Sequence, residues 1–203
     1  MIAAAVLLPH FLPLPLNTYS LIILAMVAIF LKIDKASLAD LGFSFRRLNL
    51  HALGIGVLSG ILLVAFLQLA FWPLMDQLID FPEVEVELYQ KLVGNTGFYI
   101  MMLIMAWLIG GVYEEIVFHG FIFFQFKKLF KFKHNVVISF LLTGILFGLY
   151  HLQLGPADTL NAFVAGLFYH FMALRFKGNL WYAVICHGTY NTIIITMLYL
   201  GFI

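Results

Sequence analysis

Six apolar runs joined by short polar connections make up nearly the whole chain, at about residues 17–31, 50–74, 98–126, 136–151, 160–174 and 181–203. A helix needs roughly 20 consecutive apolar residues to cross a hydrocarbon core of about 30 Å, and inside lipid every backbone polar group must be paired within the chain. Only 10% of the residues are charged and 64% are hydrophobic, against about 25% charged in a soluble domain. Period-two alternation, the mark of a transmembrane barrel, is absent. The expected fold is therefore all-α: a polytopic transmembrane helical bundle of about six spanning helices. Residues 1–203 form a single integral-membrane domain, multi-pass in the cell membrane. The first run is the shortest at its apolar core and the third is the longest. Pro9, Pro13 and Pro15 break the opening into an irregular or interfacial stretch that lacks the positive flank of a signal peptide.

Charge in the connections orients the bundle. The stretch 32–49 carries four Lys or Arg residues, 75–97 carries only Lys91, 127–134 carries four, 152–159 carries none, and 175–180 carries Arg175 and Lys177. Basic and non-basic connections alternate, as the positive-inside rule requires of six spans with both termini outside. Asp76, Asp80, Glu83, Glu85 and Glu87 crowd the second connection, on the outer side in this arrangement. The net charge of +1 gives no field that would attract nucleic acid. Cys186 is the single cysteine, which excludes an intramolecular disulfide, and it reads as a small buried hydrophobe.

Three polar clusters interrupt this apolar background: Glu114-Glu115-Ile116-Val117-Phe118-His119, Phe147-Gly148-Leu149-Tyr150-His151, and His187-Gly188-Thr189-Tyr190-Asn191. Ionisable groups at bilayer depth are costly and mark function. Neighbours on an α-helix point about 100° apart, so Glu114 and Glu115 are expected to face different partners. His119, four residues on, suits Glu115, which leaves Glu114 to aim into the bundle. Phe147 lies one turn before His151, and His187 and Asn191 also share a helix face, with Gly188 allowing close approach. The donor types suit hydrolysis. A carboxylate shielded from water can serve as general base toward a captured water. Two imidazoles can orient that water, protonate a leaving group or bind a metal. An Asn191 N–H can meet a developing oxyanion, a contact worth about 3–4 kcal/mol in comparable sites. Glu114, His151 and His187 also form a one-carboxylate, two-imidazole donor set of the kind that holds zinc.

On these residues the chain resembles the CAAX-protease and bacteriocin-processing (CPBP, or Abi) family of intramembrane proteases. That family's pattern is EExxxR, FxxxH and HxxxN on separate helices. Gly120 and Phe121 after the first motif and Gly178-Asn179-Leu180-Trp181 before the third also suit it, and the likeness spans about residues 98–196. The resemblance implies an endopeptidase in which Glu114 activates water, His151 and His187 complete the catalytic or metal-coordinating set, and Asn191 lines the oxyanion site. Glu115, His119 and Phe147 support them. It implies a membrane-protein or peptide substrate, such as prenylated CAAX-tailed proteins, and leaves room for zinc. The family's arginine is His119 here, so a titratable group replaces a permanent charge beside Glu115.

A different class of function uses the same fold without catalysis, as a membrane scaffold or a bacteriocin-immunity protein. A proton-coupled carrier is disfavoured, because no internal symmetry is evident. His10, His51 and His134 read as interfacial, and His170, inside the fifth run, reads as packing or support for the site.

Overall fold

The computed structural model describes residues 18–82 and 90–202, together with Ile2 and Val6. The rest of the proline-broken opening, including His10 and the start of the first run, lies outside the described residues, as do Glu83, Glu85 and Glu87. Among the described residues the fold is all-α. Its six rods are α1 (Thr18–Ile33), α2 (Leu50–Leu78), α3 (Thr96–Leu129), α4 (Asn135–Tyr150), α5 (Pro156–Arg175) and α6 (Trp181–Tyr199). Single 3-10 turns at Phe45–Arg47 and Leu152–Leu154 lie in two of the connections.

Local chemistry sets the ends of these rods. Asn49 caps α2 by accepting from the Ala52 N–H at 2.8 Å, and Asn95 caps α3 by accepting from Phe98 N–H at 3.1 Å. α2 continues past residue 74 despite Pro73. A wide π-type turn at Leu67–Phe71, in which the Trp72 N–H reaches the Leu67 carbonyl, precedes the proline and lets the helix absorb the missing donor. α5 starts at Pro156, earlier than the apolar run implies. Gly155 turns the chain at φ 108°, and a proline fits the first helical turn, where no N–H is needed.

The rods are apolar on both sides. α1 buries Ser20, Ile23, Val27 and Leu31, a stripe at three- and four-residue spacing. Yet Leu21 and Ile33 on its other faces are largely exposed, and Leu50 and Leu69 of α2 are 85% and 79% exposed. Polar groups run the other way: Glu114, Glu115, His119, His170 and His187 are all buried. An apolar exterior around a polar interior is stable in lipid and a liability in water. α2 and α3 are long and apolar enough to cross a membrane; α1 and α4 are apolar but shorter.

Small residues let the rods approach. A Cβ on Gly56 would lie 2.6 Å from Ile185 Cβ, and one on Gly60 would lie 2.7 Å from the Cys186 carbonyl oxygen. Gly56 and Gly60 are thus a small-xxx-small face of α2 on which α6 lies. Cys186 is fully buried in that seam. α3 is the rod that positions the site, because it touches α1, α4, α5 and α6.

Candidate active site

From Ala106 to Ile122, α3 winds as a π-type helix with i→i+5 hydrogen bonds. Wider turns reduce the angle between successive side chains below the 100° of an α-helix. This changes the expected geometry of the two glutamates. They converge on one imidazole, that of His187 on α6, from opposite edges. Glu115 Oε1 accepts from His187 Nδ1 at 2.9 Å, and Glu114 Oε2 lies 3.9 Å from His187 Nε2. The principal partner of Glu115 is thus His187 rather than His119, whose Nε2 lies 3.9 Å from the same Oε1. With Nδ1–H committed to a carboxylate, the network assigns the lone pair of His187 to Nε2, on the Glu114 side.

Asn191 joins this group through a glycine that motif reasoning missed. A Cβ on Gly110, one turn before Glu114, would meet Asn191 Nδ2 at 2.5 Å and His187 Nε2 at 3.3 Å. The Asn191 amide and the His187 lone pair therefore flank the same bare stretch of α3 backbone. Gly188 does the reverse job on α6: its missing side chain leaves room for the Trp107 ring, where a Cβ would come within 2.5 Å. Trp107 Nε1–H then donates to Thr192 Oγ1 at 3.1 Å.

α4 supplies the second motif, Phe147 and His151. His151 sits just past the helix end at φ −97°, ψ 8°, in the sparsely used bridge region where many active-site residues sit. Its Nδ1–H donates to the Phe147 carbonyl at 2.8 Å. The Phe147 ring lies 4.8 Å from the His151 ring and 6.0 Å from the His187 ring, so it forms the wall common to both. The same ring is 5.2 Å from His119.

Two residues of α5 complete the surroundings. Tyr169 stacks on His187 with centroids 4.2 Å apart and planes 14° from parallel, which holds the imidazole plane. Nothing in its sequence context distinguishes it from the other tyrosines. His170, read from sequence as packing or support, bonds through Nδ1 to His119 Nδ1 at 3.0 Å. His51 is exposed and bonds to Tyr182 Oη at 2.7 Å, and His134 is exposed at the start of α4.

The suitability of the zinc donor set can be judged from this geometry. Both imidazoles have Nδ1 engaged, by Glu115 and by the Phe147 carbonyl, the way carboxylates and carbonyls commonly hold the far nitrogen of metal-binding histidines. Among the described residues, however, no three His, Cys, Asp or Glu side chains are gathered into a group that could hold a metal ion. In this arrangement Glu114, His151 and His187 do not form a ready cage.

Among the described residues the protein is an all-α bundle with an apolar exterior, and buried carboxylates and imidazoles are gathered inside it beside the partly buried Asn191 amide. Residues 96–193 match the family model described as type II CAAX prenyl endopeptidase Rce1-like, so over just under half of its length the chain is similar to that family. The matched stretch contains all three motifs. A protein of Mycoplasma capricolum subsp. capricolum, described only as uncharacterized, is 31% identical over 111 residues, which is 53% of this chain. Those residues are 31% of that relative, so the chain spans about a third of its length. No solved structure matches.

Proposed function

We propose that this chain is an intramembrane endopeptidase in which Glu114 activates the water that cleaves a peptide bond. The observation that carries the reading is the 3.9 Å gap between Glu114 Oε2 and His187 Nε2. That distance is too long for a direct hydrogen bond but suits one water donating to both acceptors. Glu114 takes a proton from this water as its oxygen attacks the scissile carbonyl carbon. The oxyanion of the tetrahedral intermediate is met by the Asn191 amide N–H, with His151 beside it. Collapse breaks the C–N bond, and the proton held by Glu114 passes to the leaving amine. Glu115 and Tyr169 fix the tautomer and plane of His187 throughout.

The proposed substrate is a membrane-associated peptide or protein, with CAAX-tailed prenylated proteins the class that the family suggests. The proposed setting is a six-span bundle in the cell membrane with both termini outside. A zinc-assisted form would use Glu114, His151 and His187. Inhibition by a chelator, reversed by added zinc, would favour it.

The test uses the full chain in lipid nanodiscs with a library of membrane peptides, prenylated and unprenylated. Cleavage by the native protein and its loss, by about 10³-fold or more, in Glu114→Gln is the expected outcome for removal of a catalytic base. If Glu114→Ala and His187→Ala keep the full biological phenotype, the chain works by binding, as a scaffold or immunity protein.

A further inference from the structure

We propose that His170 is a positioning residue that acts through His119 and Glu115 on the orientation and proton arrangement of His187. The inference rests on the reading that His187 serves the hydrolytic centre. It draws on a continuous line of buried groups crossing three helices. His170 Nδ1 on α5 lies 3.0 Å from His119 Nδ1 on α3. His119 Nε2 lies 3.9 Å from Glu115 Oε1, and that same oxygen accepts from His187 Nδ1 of α6 at 2.9 Å. The four side chains are buried to 5% exposure or less.

Proton accounting gives His170 its role. A bond between two ring nitrogens needs one N–H and one lone pair. A lone pair on His119 Nε2 would face the Glu115 carboxylate oxygen and be repelled, so Nε2 carries hydrogen. His119 Nδ1 then either accepts from His170 or, in an imidazolium, donates to it. In both cases the bond to His170 holds the N–H of His119 on the Glu115 side. Without His170, His119 Nδ1 would be buried and unpaired, a cost that a ring flip or tautomer change would relieve. Either relief turns the Nε2–H dipole, which lies 3.9 Å from Glu115 Oε1 and acts on it through space rather than by a hydrogen bond, away from the oxygen that accepts from His187 Nδ1.

Packing alone does not account for an imidazole here. The His170 ring lies edge-on to Phe123 and Phe140, with centroids at 4.2 and 5.2 Å, an environment that a phenylalanine would fill as well. His170 and His119 also border a cavity of about 450 Å³ that reaches Lys127 and Lys177, so this site could take a larger apolar side chain.

The experiment compares the full-length native protein, His170→Phe and His170→Asn in nanodiscs with ring-¹⁵N-labelled histidine. Asparagine places an amide atom where Nδ1 stood and can either donate or accept. The native protein should show scalar coupling between the Nδ1 atoms of His119 and His170 across their hydrogen bond. His170→Phe should shift or broaden the His187 ring signals and lower kcat about tenfold to a hundredfold, with KM unchanged, as loss of outer-shell partners does. His170→Asn should restore most of kcat and the His187 signals. Unchanged His187 signals in a folded His170→Phe protein, or no His119–His170 coupling in the native protein, would overturn the inference. If the native protein cleaves nothing, the hydrolytic reading fails by itself, and the His187 signals still decide whether His170 positions that ring.

Discussion

Gly110 is the residue whose absent side chain decides most about the site. A methyl group there would sit 2.5 Å from Asn191 Nδ2, closer than real carbon contacts allow, so the end of the Asn191 side chain must move aside. Gly110→Ala should therefore displace Asn191 and cost about 10²-fold in kcat, near the loss seen when one oxyanion donor is removed. Asn191→Ala should lose a similar amount, and the double variant little more than either single one, because both remove the same donor. Steady-state kinetics of the three variants checks this; additive losses would show that Gly110 matters for another reason. The partners of the two glutamates teach a related lesson. Spacing made Glu115–His119 the natural pair, but a local i,i+4 neighbour at 3.9 Å yields to an imidazole from another helix at 2.9 Å. Sequence spacing sees only neighbours on the same helix.

At the scale of helices, the α2–α6 seam is built on Gly56 and Gly60, and its partners are the Ile185 side chain and the Cys186 backbone. Helices in lipid gain nothing from hiding apolar surface, so close packing at such seams supplies much of the association. Gly60→Ala would press a Cβ within 2.7 Å of a backbone carbonyl, which cannot rotate away. It should lower stability by about 1–3 kcal/mol, the usual cost of overpacking. Thermal unfolding in nanodiscs would show this as a clear fall in midpoint, whereas Gly54→Ala, with nothing within 4 Å of the added carbon, should show none. α6 carries His187 and Asn191, so Gly60→Ala should also reduce activity although no site residue is itself substituted. The π-type winding of α3 belongs to this scale as well. It places two adjacent carboxylates on one ring, and nothing in the spacing of the apolar residues announces it.

For the whole molecule, the alternation of basic connections makes a topological prediction. Single cysteines at Asp80 and Lys131, both exposed, should label with an impermeant maleimide from opposite faces of the membrane, with Asp80 outside. Native Cys186 is fully buried and gives little background. Labelling of both positions from one face would overturn the six-span proposal. The helical class, the six rods and the three motif clusters were legible from residue order, because helix formation in an apolar medium depends on local composition, and i,i+4 spacing fixes which side chains share a face. The tertiary structure decided the rest: that both glutamates serve His187, that Gly110 makes room for Asn191, that Tyr169 stacks on the imidazole and that His170 backs His119. Each of these pairs residues on different helices. Such contacts depend on how rods rotate and how closely they approach, which small residues and wide turns set by packing in three dimensions.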